Sequence, residues 1–172
     1  GNGHTRALQK LLHLAQDSDE LVACSAVRGI GVAAMQGSSQ IYETLSFLAE
    51  ESEDENIRLQ AVTSMGTMAQ DGNAKIVEGL IKIASNEKDL NLFVRLEAVK
   101  GLGPALASGH DAVVAALLAL MAQSNKMIRR VVVDVVTSII SVAGVLALFQ
   151  LESRGLVNAM ITWRNDEDVV IR

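Results

Sequence analysis

The sequence predicts an all-α, right-handed α-solenoid of four to five helical hairpins, and three observations predict it. First, Ile57-Arg58, Ala61 and Met65-Gly66 recur as Val94-Arg95, Ala98 and Leu102-Gly103, and again as Ile128-Arg129 and Val132 with Thr137 in the glycine position. An upstream copy, Val22-Ala23, Ala26 and Ile30-Gly31, lacks the arginine, and Ile171-Arg172 opens a further one. Second, the arginine column at 23, 58, 95, 129 and 172 advances by 35, 37, 34 and 43 residues, and the glycine column at 31, 66 and 103 repeats the first two steps. Unequal steps shared by two columns mark a stack of supersecondary units, each burying its apolar face only against the next. Third, apolar residues make up 49% of the chain but aromatics only 3%. The core is therefore built from Ala, Val, Leu, Ile and Met, which suits closely packed helices. The units are placed at 17–52, 53–86, 87–124 and 125–165, with partial units at 1–16 and 166–172.

The first helix, 5–16, sets Leu8, Leu11, Leu12 and Ala15 on one face and reads as the second helix of an incomplete unit. Asp17-Ser18-Asp19 turns the chain and caps a helix running to Met35. Gly37-Ser38-Ser39 stops that helix and caps the next, 40–50, with Ile41, Leu45 and Leu48 inward. The stretch 50–55 holds five acids in six residues. It reads as a solvated loop whose carboxylates favour the positive end of the following helix, with an acidic docking site as the alternative. The helix 56–70 turns at Asp71-Gly72-Asn73 and returns along 74–85, where Ile76, Val77, Leu80, Ile81 and Ala84 form a buried stripe. Lys75, Glu78 and Lys82 share the opposite face, and Glu78 four residues before Lys82 is the favourable order for an ion pair.

The next unit begins near Asp89. Pro104, one residue past Gly101-Leu102-Gly103, is expected to kink or end its helix because it removes a backbone hydrogen bond. Gly109-His110-Asp111 then turns into an uncharged helix, 112–123. Val113, Val114, Leu117, Leu118 and Met121 form one face of it, and Ala112, Ala115 or Ala116, Ala119 and Ala122 the other. Those alanines either admit a neighbouring helix closely or line a shallow groove for a partner helix. The run 126–142 has the Val and Ile content of a strand, but Arg129 and Val132 fall on the helical columns and strict alternation is absent. The step of 43 implies an insertion of six to nine residues around 149–155 before a helix over 156–164. Val169, Val170 and Ile171 begin another unit, so a longer array, or end-to-end association with another copy, is expected.

Charge and composition narrow the function. A net charge of -5 argues against a phosphate-binding surface and hence against a nucleic-acid partner. Cys24 has no second cysteine to pair with and reads as a buried, inert thiol, which fits a reducing compartment, and the cytoplasm is the expected location. No signal peptide is visible over 1–10. The uncharged run 135–151 contains Thr137, Ser138, Ser141, Gly144 and Gln150 and reads as two helices meeting rather than a membrane span. His4, His13 and His110 are far apart, no spacing suggests a zinc site, and no glycine-rich loop follows a strand. His110 beside Asp111 is the best acid/base pair in the chain, yet it stands where helix caps recur. No enzyme activity and no cofactor are expected.

The Asn56-Ile57-Arg58, Ala61, Met65-Gly66 pattern, repeated as Asp89, Val94-Arg95, Ala98, Leu102-Gly103, resembles HEAT-like repeats, the helical-hairpin family that includes those of phycobilisome lyases. The resemblance covers nearly the whole chain. It implies a hydrogen-bonded ladder of acidic or amide side chains and arginines between units, which makes Arg58, Arg95 and Arg129 structural; the first copy, with Ala23, lacks its rung. A second resemblance rests on Ala26-Val27-Arg28-Gly29-Ile30-Gly31 and Ala98-Val99-Lys100-Gly101-Leu102-Gly103, which look like proteasome/cyclosome repeats. Those form closed toroids in large regulatory subunits. The doubled glycine occurs in only two copies here.

The leading functional expectation is a non-catalytic scaffold or adaptor that binds protein, such as a helical segment, on the concave side of the solenoid, lined by the second helix of each unit. Candidate contacts are Glu43, Lys75, Glu78, Lys82, Ala115, Ala119 and Trp163. Trp163, beside Arg164, is either the plug of the last hairpin or an exposed anchor. A lyase-type enzyme or chaperone handling a chromophore, and a regulatory-subunit fragment, are the alternatives. The His-Glu dipeptides of a HEAT-type hydroxylase are absent, and a HEAT-like glycosylase would need a basic stripe.

Overall fold

A computed structural model describes residues 2–33, 39–69, 73–87 and 91–164, with the backbone alone at 2–5, 39–40, 145–149, 153 and 164. The turns expected at Gly37-Ser38 and Asp71-Gly72, the residue Asp89 and the partial unit 166–172 lie outside the described residues. Every regular element among them is a helix: α1 (Asn2–Leu14), α2 (Glu20–Ala33), α3 (Ser39–Glu51), α4 (Glu55–Met68), α5 (Ala74–Ser85), α6 (Leu92–Gly101), α7 (Gly103–Ala107), α8 (Asp111–Met121), α9 (Lys126–Ser153) and α10 (Leu156–Arg164). The valine-rich run 126–142 is helical, as its register requires.

Two layers form. The first helices α2, α4, α6 and α9 stack on one another, and α1, α3, α5, α8 and α10 cover them, with α3 seated on α4 and α5 on α6. The α-solenoid core lies between the layers. Ile41, Leu45, Leu48 and Ala49 of α3, Ile76, Val77, Leu80, Ile83 and Ala84 of α5, and Val113, Val114, Leu117 and Leu120 of α8 are buried. Ile83 and Leu120 extend the stripes read from sequence, while Ile81 and Leu118 are only half-buried. A second helix packs against more than one neighbour, so its apolar sector is wider than a single stripe.

Each first helix starts in the same way. The side-chain oxygens of Asp19, Asp54, Asn91 and Asn125 accept the backbone N–H groups two and three residues on, at 2.8 to 3.3 Å. These bonds satisfy donors that have no partner in the first turn. The repeating acid or amide therefore precedes the Ile/Val column by three residues, and the assignment of Asn56 to it is corrected. Asn56 lies inside α4 and its amide donates to Glu20 of α2 at 2.6 Å.

Glycine sets the spacing of the first helices. A Cβ on Gly66 would stand 2.9 Å from the Gly101 Cα, and one on Gly31 would meet Ser64 Cβ at 2.7 Å. Ser64 in turn donates to the Val27 carbonyl at 3.3 Å. The arginines close the ends of second helices. Arg95, 5% exposed, donates from Nε to the Ala84 carbonyl at 3.2 Å and from Nη2 to Gln123 Oε1 at 2.9 Å. Arg129 donates to the Gln123 carbonyl at 2.6 Å. Their acceptors are the Ala84 and Gln123 backbone carbonyls, at the negative ends of α5 and α8, and for Arg95 also the Gln123 side-chain amide oxygen.

Pro104 ends α6 and occupies the first turn of α7, where its missing N–H costs nothing. The insertion read from the step of 43 is largely helical. α9 runs 28 residues, bends at Gly144 (φ 72°, ψ -156°), and stops at Gly155 (φ 79°), conformations open to glycine but strained for other residues.

Candidate protein-interaction face

The buried stripes fix the register of the second helices. Leu48, Ile83, Leu120 and Trp163 occupy one buried column, separated by 35, 37 and 43 residues; the first two steps repeat those of the first helices, and the last is longer than the first-helix step of 34 because the insertion falls between the start of α9 and α10. In that register Glu43, Glu78, Ala115 and Asn158 form one outward column, and Phe47, Lys82, Ala119 and Thr162 form the next. All eight are exposed. The candidate residues Glu43, Glu78, Lys82, Ala115 and Ala119 thus come together as two adjacent rows, with exposed Lys75 one turn before Glu78.

The chemistry changes along the rows. Over α3 and α5 the surface is charged, with Lys82 Nζ on Glu50 at 2.5 Å. Lys82 therefore binds across the unit boundary and not the Glu78 of its own helix. The Glu50 hydrogen bond first, and its charge next, hold the Lys82 ammonium above the ordinary lysine range. Phe47, 60% exposed, stands in a shallow depression of about 280 Å³ beside Tyr42, Glu43 and Glu50. Sequence reasoning missed it. The signal was an aromatic off the Ile41-Leu45-Leu48 stripe, in the column of Lys82. Over α8 the surface is bare: Ala112, Ala115, Ala119 and Ala122 are exposed, and among the described residues no helix covers them.

Trp163 leaves the candidate set. Its indole is 6% exposed and belongs to the core, so it plugs the last hairpin, and its buried Nε1–H has no acceptor among the described residues. Such an orphan donor costs about 1–3 kcal/mol, which the buried ring area offsets.

The residues that raised catalysis are dispersed. His110 holds the N-cap position of α8 but its side chain makes no cap bond, and Asp111 faces Arg154 at 3.1 Å. His13 is exposed on α1. Among the described residues no group of three His, Cys, Asp or Glu could hold a metal ion, and no helix is long and apolar enough to cross a membrane. Cys24 is half-buried rather than buried, and its thiol is pushed up from 9.0 by burial first and then by the Asp54 and Glu20 carboxylates.

Stacked helical hairpins with a continuous core and an outward face free of packing duties define an α-solenoid of the repeat class. The family model for HEAT repeats matches residues 41–137, more than half of the chain, and the chain belongs to the HEAT repeat family. No curated protein matches it.

Proposed function

We infer that this chain is a non-catalytic protein-binding scaffold, and that its partner lies across the outward columns of α3, α5 and α8. HEAT repeats generally mediate protein–protein contacts. The observation that carries the reading for this chain is the pair of aligned rows, in which a solvent-exposed phenylalanine is flanked by charges and followed by a bare alanine surface. An aromatic within a polar rim, beside small residues that let a partner approach closely, has the make-up of an interface centre. The alanine surface suits the ridge of a partner helix.

The test is affinity capture from native lysate with this chain as bait, followed by affinity measurement on the captured partner. Phe47→Ala and the double change Lys75→Glu with Lys82→Glu should each weaken binding about tenfold or more while barely moving the melting temperature. Unchanged affinity in both would remove this face from the proposal.

A further inference from the structure

The stack of first helices opens at one junction, and the opening has a cause in the sequence. From α2 to α6 the helices meet through glycine and serine. Pro104 then turns the chain out of the α6 axis into α7, and a Cβ on Gly103 would find only Val135 Cγ1, at an ordinary 3.5 Å. Between α6–α7 and α9 lies an open groove of about 540 Å³. Pro104 and Ala107 form one wall and Val135, Ile139 and Val142 the other, with Asp134 on the lip. Val142 is 88% exposed, a branched apolar side chain that nothing in the described chain covers.

We propose that this groove docks a basic amphipathic helix of a protein partner, separately from the second-helix face. Two observations choose that occupant. Both walls are formed by side chains of helices, so the groove offers no strand edge along which an extended peptide could pair its own N–H and C=O groups. A helix arrives with its backbone satisfied and lays an apolar ridge between the walls. Charge selects the sign. Asp134 is exposed and makes no ion pair or hydrogen bond among the described residues, whereas Lys100 across the groove is already held by Glu97 at 3.1 Å. The unmatched charge at the groove is thus a carboxylate, on a chain of net charge -5. A lysine or arginine one turn from the apolar ridge would reach it.

The probes are two fluorescein-labelled helical peptides of roughly 18 residues, one of leucine and lysine and one of leucine and glutamate, titrated by anisotropy into the full chain at physiological salt. The lysine peptide should bind at least about tenfold tighter. Asp134→Lys and Val142→Lys, both at exposed positions and checked by thermal melt, should each weaken it by about tenfold. The double change Glu51→Lys with Glu53→Lys, in the acidic stretch before α4, should leave it within about twofold. Equal binding of the two peptides, wild-type affinity in both groove variants, or loss of binding in the acidic-stretch variant would overturn the proposal. So would self-association, seen by sedimentation, that Val142→Lys abolishes, since a second copy would then fill the groove.

Discussion

Replacing Gly66 by alanine measures how far the stack depends on close approach of its first helices. In an exposed helix interior the change would stabilise by roughly 1 kcal/mol, because glycine loses more backbone entropy on folding. Here the new Cβ would stand 2.9 Å from the Gly101 Cα, whereas two carbons rest at about 3.5–4.0 Å. The obstacle is backbone, so no rotamer change removes it. α4 and α6 must part by roughly 0.6 Å or more, and the buried side chains along both helices lose contact. Overpacking of this kind costs about 1–3 kcal/mol, so the net expectation is a loss of up to about 2 kcal/mol once the helix-propensity gain is subtracted. Gly79→Ala is the control. Its Cβ also finds an atom at 2.9 Å, but that atom is the Met65 Cε, the free end of a flexible chain, and the expected change is within about 0.5 kcal/mol of zero. Urea denaturation followed by circular dichroism compares the two, with the m-value checked because repeat arrays can unfold in steps. A midpoint for Gly66→Ala clearly above that of the parent, the gain expected where no contact opposes the new Cβ, would refute glycine-set spacing.

Arg95→Met keeps the aliphatic stem but strips the donors from the Ala84 carbonyl and Gln123; a loss of about 2–3 kcal/mol is expected, and a loss below about 0.5 kcal/mol would show that water replaces the guanidinium. Cys24 should react with a disulfide reagent more slowly than free cysteine at pH 8, because burial and two carboxylates raise its pKa from 9.0. The raised value makes a stabilising contribution that is complete below the unfolded pKa and fades as pH climbs through the folded one. A labelling midpoint at or below 9.0 would contradict both statements.

The fold was legible because a repeat writes its constraint several times. The Ile57-Arg58 and Met65-Gly66 pattern located the first helices, and Pro104 marked a helix break that the structure places at α6–α7. What escaped was whatever depends on distance between units. Asp54 and Asn56 both precede Ile57, and only backbone geometry shows that the first caps α4 while the second reaches Glu20 of another unit. Glu78 and Glu50 both compete for Lys82, and sequence favours the local partner because the i,i+4 rule counts one helix at a time. The packing beside α3 had placed Glu50 nearer. Phe47 escaped because only its register against the buried Ile41, Leu45 and Leu48 shows that it faces outward.

The two layers answer to different constraints, and this explains where binding surfaces arise. A position in a first helix faces its counterparts above and below, so Gly66 must fit Gly101 while Ser64 of the same helix must fit Gly31 and the Val27 carbonyl. A change there is felt at two junctions, which holds the first helices to nearly one pattern. Glu43, Glu78, Ala115 and Asn158 carry no such load: they share a column, touch solvent, and differ in charge and size. Chemistry can therefore vary along the second-helix face without cost to the stack. The groove at α9 arises by the opposite route, from a first helix that breaks its pattern at Pro104 and leaves Val142 uncovered while Val135 and Ile139 stay half-buried. Restoring the pattern should close it. Pro104→Ala would let α6 continue toward α9, which should cover Val142 and slow hydrogen exchange over 105–107. Undiminished exposure of Val142 to solvent would show that the opening is set by α9 alone.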